Sequence, residues 1–78
     1  MQTLDFTLRG EFITLDALLK ATGLADSGGA AKALIQTGQV QVDGREELRR
    51  GAKLRAGQVV AVSGARVRLL AAEGGGSA

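Results

Sequence analysis

The side chains with chemistry to offer are cations, and they crowd into one part of the chain. Arg45, Arg49, Arg50, Lys53 and Arg55 fall in one short stretch, and Lys32 lies a little upstream. Guanidinium and ammonium groups gathered in this way neutralise phosphates and release counterions from a nucleic-acid backbone. The plainer use of such a cluster is a solvated loop or strand face that keeps a sheet edge soluble. Residues 1–44 hold three basic and five acidic side chains, whereas residues 45–68 hold seven basic and two acidic ones. The formal net charge of +2 therefore conceals a strongly basic second half, the pattern of a surface turned towards a polyanion.

Catalytic chemistry finds little to use. The 78 residues contain no histidine and no cysteine, which excludes disulfides, thiolate metal sites and any imidazole base. Ser27 has no histidine to activate it. Glu46 and Glu47 are adjacent, so on a strand they point to opposite faces. Asp43 precedes Gly44 and reads as turn chemistry rather than as a general base. No phosphate-loop or dinucleotide fingerprint occurs. The expectation is a protein without catalytic residues, cofactor, metal or small-molecule substrate.

The elements that must position the cations can be read from the pattern. A chain this short makes one small domain with a modest core. The stretch from Ser27 to Gly44 organises it. Asp26 or Ser27 caps a helix, Ala30, Ala31, Leu34 and Ile35 form its apolar stripe, and Gly38 closes it. Lys32 and Gln36 fall on the other side. Val40 and Val42 then alternate with Gln39 and Gln41, and Asp43-Gly44 signals a hairpin turn. Upstream, Thr14 is expected to cap a first helix with Leu15, Leu18 and Leu19 on one face, ending at Gly23. Helices are predicted near 15–22 and 27–37, and the clearest strands near 39–42, 58–62 and 66–70. A short strand is also read over Asp5–Leu8 and an extended piece over Glu11–Thr14.

Arg49–Gly57 has no apolar stripe and reads as an irregular surface loop. Leu15, Leu18, Leu19, Leu34, Ile35, Val40, Val42, Val59 and Val62 are expected to be mostly buried. Phe6 and Phe12 are the chain's only aromatics and are also assigned to the core. Residues 1–73 form the expected domain, and Gly74–Ala78 a flexible Gly/Ser-rich tail. No apolar run is long enough to cross a membrane, and the N-terminal residues do not resemble a signal peptide.

Over residues 14–60 the chain resembles the RNA-binding domain of the ribosomal protein S-four type, especially its small, stand-alone, YbcJ-like bacterial members. The residues that carry the resemblance are Leu15-Asp16 with Leu18-Leu19, Ser27, Ala31 to Ile35, Gly38, Val40, Val42, Asp43-Gly44 and Gly57-Gln58-Val59-Val60. Their order and spacing are more specific than any one of them; the recognisable core is 14–62. The resemblance implies an α+β fold: two packed N-terminal helices, helix-turn-helix-like, followed by a small curved, mostly antiparallel sheet. It also implies a cytoplasmic protein that binds structured RNA, such as rRNA, tRNA or another folded RNA, through the helix pair and the following loop.

Two departures bear on that site. Thr14 stands where the family commonly has a basic residue, and Gly28 where it commonly has arginine, so two phosphate contacts are missing. The candidates that remain are Lys32, Arg45, Arg49, Arg50, Lys53 and Arg55, expected to converge on one face. Gly28-Gly29 is read first as allowing close helix packing. The alternative is a backbone phosphate contact from Ser27, Gly28 and Gly29 at the helix start. With both phenylalanines assigned to the core, no base-stacking platform is expected, so the RNA would be read by shape and phosphate position. Three rival readings are a protein-interaction module, a DNA-binding helix-turn-helix module and a sulfur-carrier-like β-grasp protein. The second lacks side chains to read base edges, and the third lacks a terminal diglycine.

Overall fold

In the computed structural model, which describes residues 2–72, a strand comes first rather than the helix pair. The elements are β1 (Gln2–Thr7), β2 (Ile13–Thr14), α1 (Leu15–Ala21), α2 (Gly28–Gln36), β3 (Val40–Val42), β4 (Arg45–Glu46), β5 (Lys53–Leu54), β6 (Val59–Val62) and β7 (Ala65–Leu70). Five strands form one sheet in the order β1-β7-β6-β3-β4, and β2 and β5 form a separate two-stranded ladder. The α+β class and the mostly antiparallel sheet hold. The N-terminal helix-turn-helix-like arrangement does not, because β1 and β2 precede the helices and β1 lies parallel to β7 along an edge of the sheet. The expected tail, Gly74–Ala78, lies outside the described residues.

Local chemistry explains the boundaries. Ser27 caps α2, its Oγ accepting from the Ala30 amide at 3.1 Å. The helix ends where Gly38 N donates to Ile35 O at 3.2 Å and Gln39 N donates to Leu34 O at 3.1 Å, the paired bonds of a Schellman stop. Two tight hairpins follow. Asp43-Gly44 (φ 53° and 82°) joins β3 to β4, and Ser63-Gly64 (φ 48° and 79°) joins β6 to β7. Positive φ at both central residues is the twist-matched geometry for two-residue hairpin loops. Asp43 does more than turn: its Oδ1 accepts from Val59 N at 2.9 Å and its Oδ2 from Gln58 Nε2 at 3.2 Å, fastening the turn to β6.

The helices cover one face of the sheet. Leu15, Leu18 and Leu19 from α1 and Ala31 and Ile35 from α2 meet Val40, Val60, Val62, Val67 and Leu69 in a single apolar cluster. Of the expected core, Leu34, Val42 and Val59 are only half-buried. The expectation for β6 had mixed phases, since Val59 and Val62 lie on opposite faces of a strand. Val60 is the buried partner of Val62, and Val59 and Ala61 lie on the far face. Phe6 is half-buried against the core as expected, but Phe12 is exposed.

The 49–57 segment also differs from the irregular loop expected. Leu54 is 1% exposed, with its neighbours Lys53 and Arg55 in solvent. This single buried leucine converts the basic stretch into a strand with a fixed inward side. Among the described residues, no helix is long and apolar enough to cross a membrane. Replacing Leu54 by alanine should destabilise the protein by about 2–5 kcal/mol, measured by urea unfolding.

Candidate nucleic-acid interface

The basic segment is held in place by a helix that needs its carbonyls. The first amides of an α-helix have no partner within the helix. In α1 they are supplied from far along the chain: Leu15 N donates to Ala52 O at 2.9 Å and Asp16 N donates to Arg50 O at 3.0 Å. The next amide, Ala17 N, is met by Asp16 Oδ1 at 2.8 Å. Thr14 occupies the cap position, but its hydroxyl donates to Asp16 Oδ1 at 2.8 Å instead of accepting from a backbone amide. The amides of Leu15, Asp16 and Ala17 are thus all partnered, and Arg50 and Ala52 are pinned beside them.

The ladder then sets which side chains face out. Ile13 pairs with Leu54 and Thr14 with Lys53, antiparallel. One step further along this register, Phe12 stands opposite Arg55. Alternation sends Ile13 and Leu54 inward and places Phe12, Thr14, Lys53 and Arg55 on the other face. Lys53 Nζ lies 4.9 Å from the Phe12 ring centroid, and the Arg55 guanidinium carbon lies 5.9 Å from it. Both are cation–π distances.

The six cations expected to act together are therefore not equivalent. Arg49 and Lys53 line one shallow depression with Gly51 and Ala52. Lys53 and Arg55 flank Phe12, and Arg50 sits at the start of α1. Arg49 is engaged with Glu47, its Nε 3.1 Å from Glu47 Oε2. Arg45 lies apart on β4, along a groove shared with Asp43, Glu46 and Glu47. Lys32 is exposed on α2, and among the described residues no hydrogen bond or ion pair joins it to the other five. Lys20, not singled out from the sequence, acts with Arg50 on the Asp16 carboxylate.

The packing role expected for Gly28-Gly29 is overturned. A Cβ at Gly28 would meet nothing within 4 Å, and one at Gly29 only Ser27 Oγ at 3.9 Å. Both glycines are exposed at the beginning of α2. The Ser27 side-chain oxygen is already committed to Ala30. Phe12, assigned to the core from the sequence, is exposed as well. A signal for it existed: on an extended piece running into Leu15, only one of Phe12 and Ile13 can face the core.

Two carboxylates are perturbed at this surface. The Thr14 hydroxyl holds Asp16 below the usual aspartate range against the cost of desolvation, with help from the Ala17 amide and the charges of Arg50 and Lys20. The Arg49 side chain and amide do the same for Glu47. Arg68, on the outer face of the sheet, makes a two-pronged pair with Asp5 at 2.9 and 3.1 Å.

Fold and surface together define a small two-layer α+β module with a cationic shoulder locked to the start of its first helix. The chain belongs to the S4 domain family, whose model matches residues 6–70. It is 44% identical over 59 residues to a protein of Escherichia coli (strain K12) named "Putative RNA-binding protein YbcJ", covering 76% of this chain and 84% of the relative. The same figures hold for "Uncharacterized protein YbcJ" of Shigella flexneri. The solution structure of the E. coli protein matches with a TM-score of 0.62 at 38% identity, over 90% of this chain and 87% of that one. Its description reports an "ALFAL motif involved in RNA-binding".

The lowered Asp16 pKa fixes the sign of a pH effect. Unfolding lets Asp16 regain protons that the native state excludes, so its contribution is full above the ordinary aspartate range and lost as pH falls through the lower native value. Stability of the wild-type protein should decline from about pH 4 downwards. Asp16→Asn should make that acid limb shallower, as read from urea midpoints across the acid range.

Proposed function

We propose that this chain is a non-catalytic RNA-binding protein that recognises folded RNA through backbone phosphates and shape. One observation carries the reading. The carbonyls of Arg50 and Ala52 cap α1, so the cations of that segment project from a backbone already fixed before any ligand arrives. Preorganisation of this kind lowers the ordering cost of binding. Family membership and the name of the E. coli relative support the same reading. A cytoplasmic location and a ribosomal, transfer or other structured RNA as partner belong to it.

Arg50, Lys53 and Arg55 take the principal phosphate contacts, joined by Lys20. Arg49 contributes through a guanidinium shared with Glu47. Lys32 and Arg45 extend the contact on RNA large enough to reach α2 and β4. Ser27, Gly28 and Gly29 stand as a secondary element, since Gly28 and Gly29 carry no side chains and Ser27 Oγ occupies only the Ala30 amide.

The test is the salt dependence of binding to a folded RNA, followed by fluorescence anisotropy. The log–log slope should be roughly −0.7 to −0.9 per phosphate neutralised. Replacing Arg50 and Lys53 together by alanine should flatten it by about one to two units across RNA sequences. Unchanged affinity and slope in that variant, in a protein that binds the RNA, would remove the segment from the interface. Equal binding to a DNA duplex would argue for an unselective polyanion surface.

A further inference from the structure

The exposed phenylalanine has no structural task that accounts for its position. The chain has two aromatic residues. Phe6 packs against the core, whereas Phe12 is 41% exposed. The ladder register puts Phe12 on the outward face, where Lys53 and Arg55 approach it at 4.9 and 5.9 Å from the ring centroid. Cation–π attraction explains why the two cations gather at the ring. It does not explain why an apolar ring stands in water at all, since Ile13 and Leu54 already fill the inward side of the ladder.

A partly exposed aromatic ring with two positive charges beside it matches the chemistry of one nucleotide. The base has a π-face to stack, and the phosphates before and after it carry the negative charges. A base inside a duplex offers no free face, because its neighbours cover it; only an unpaired base can be presented to a side chain. We propose that Phe12 is a stacking platform for one unpaired nucleobase, with Lys53 and Arg55 holding the flanking phosphates. The site rests on the RNA-binding reading and narrows it: the preferred RNA is folded but carries a bulged, looped-out or terminal nucleotide beside its paired stem.

The probes are a blunt RNA duplex, the same duplex with one bulged adenosine, and the bulged duplex with an abasic residue in place of that adenosine. Wild-type protein should bind the bulged duplex more tightly than the other two. Phe12→Ala should lower affinity for the bulged duplex by about 5- to 150-fold, the range that loss of one stacked base produces. It should leave the other two affinities and the salt slope unchanged. Phe12→Leu keeps apolar bulk without a π-face and should behave in the same way, which separates stacking from any effect on folding. Equal binding of all three RNAs by the wild-type protein overturns the platform while leaving phosphate binding intact, and so does a Phe12→Ala variant that loses affinity for all three alike. Wild-type protein that binds none of them overturns the RNA reading itself, and is recognised without any substitution.

Discussion

Two hydrogen bonds at the start of α1 organise the molecule around them. A helix start buried without partners is costly, because each unpaired amide forfeits its bond to water. Here Leu15 and Asp16 are satisfied by the carbonyls of Ala52 and Arg50, which arrive only after the second helix and a hairpin have been made. The β2–β5 ladder continues the same contact, and Leu54 anchors it in the core. Helix, ladder and basic segment therefore form one cooperative unit. The helix dipole contributes to it, since the positive end of α1 faces carbonyl oxygens instead of repelling the neighbouring arginines.

Charge on this surface is also arranged more selectively than composition suggests. Arg49 is turned to Glu47 and Arg68 to Asp5, and Arg45 lies among carboxylates. Lys53 and Arg55 form no ion pair among the described residues, and Phe12 collects both. Net charge describes the long-range field. The pairings decide which groups meet a ligand without first losing a partner.

Much of this was legible in the residues. Ser27, Gly38 and Asp43-Gly44 set helix ends and a hairpin by local chemistry, and local chemistry is what a sequence displays. The misreadings share a cause. In Val59-Val60-Ala61-Val62 no polar residue marks the phase, so either alternating set qualifies for the core until pairing with β7 decides. Leu54 stands alone among cations, and its burial depends on Ile13 far upstream. Phe12 was assigned inward by its type, although the register it follows is set by the same distant partner. The place of β1 beside β7 leaves no local trace either, since parallel neighbours join segments remote in sequence. The cationic segment was recognised as a group. The approach of Arg50 to Asp16, from a segment far along the chain, is what only the folded chain displays.

The parallel edge strand has a mechanical consequence. β1 and β7 run side by side in the same direction, from Gln2 beside Ala65 to Thr7 beside Leu70. A pull on the two ends of the chain draws the beginning of β1 and the end of β7 apart along the strand axis. The load then falls on the bonds of this interface together, in shear, and cannot peel them away one pair at a time. The backbone bonds from Gln2 to Gly64 and from Leu8 to Leu70 extend the clamp at both ends. Resistance to such a pull is a property of the unfolding barrier and not of net stability. A domain held together by a modest core can therefore present a stiff joint to tension along its length.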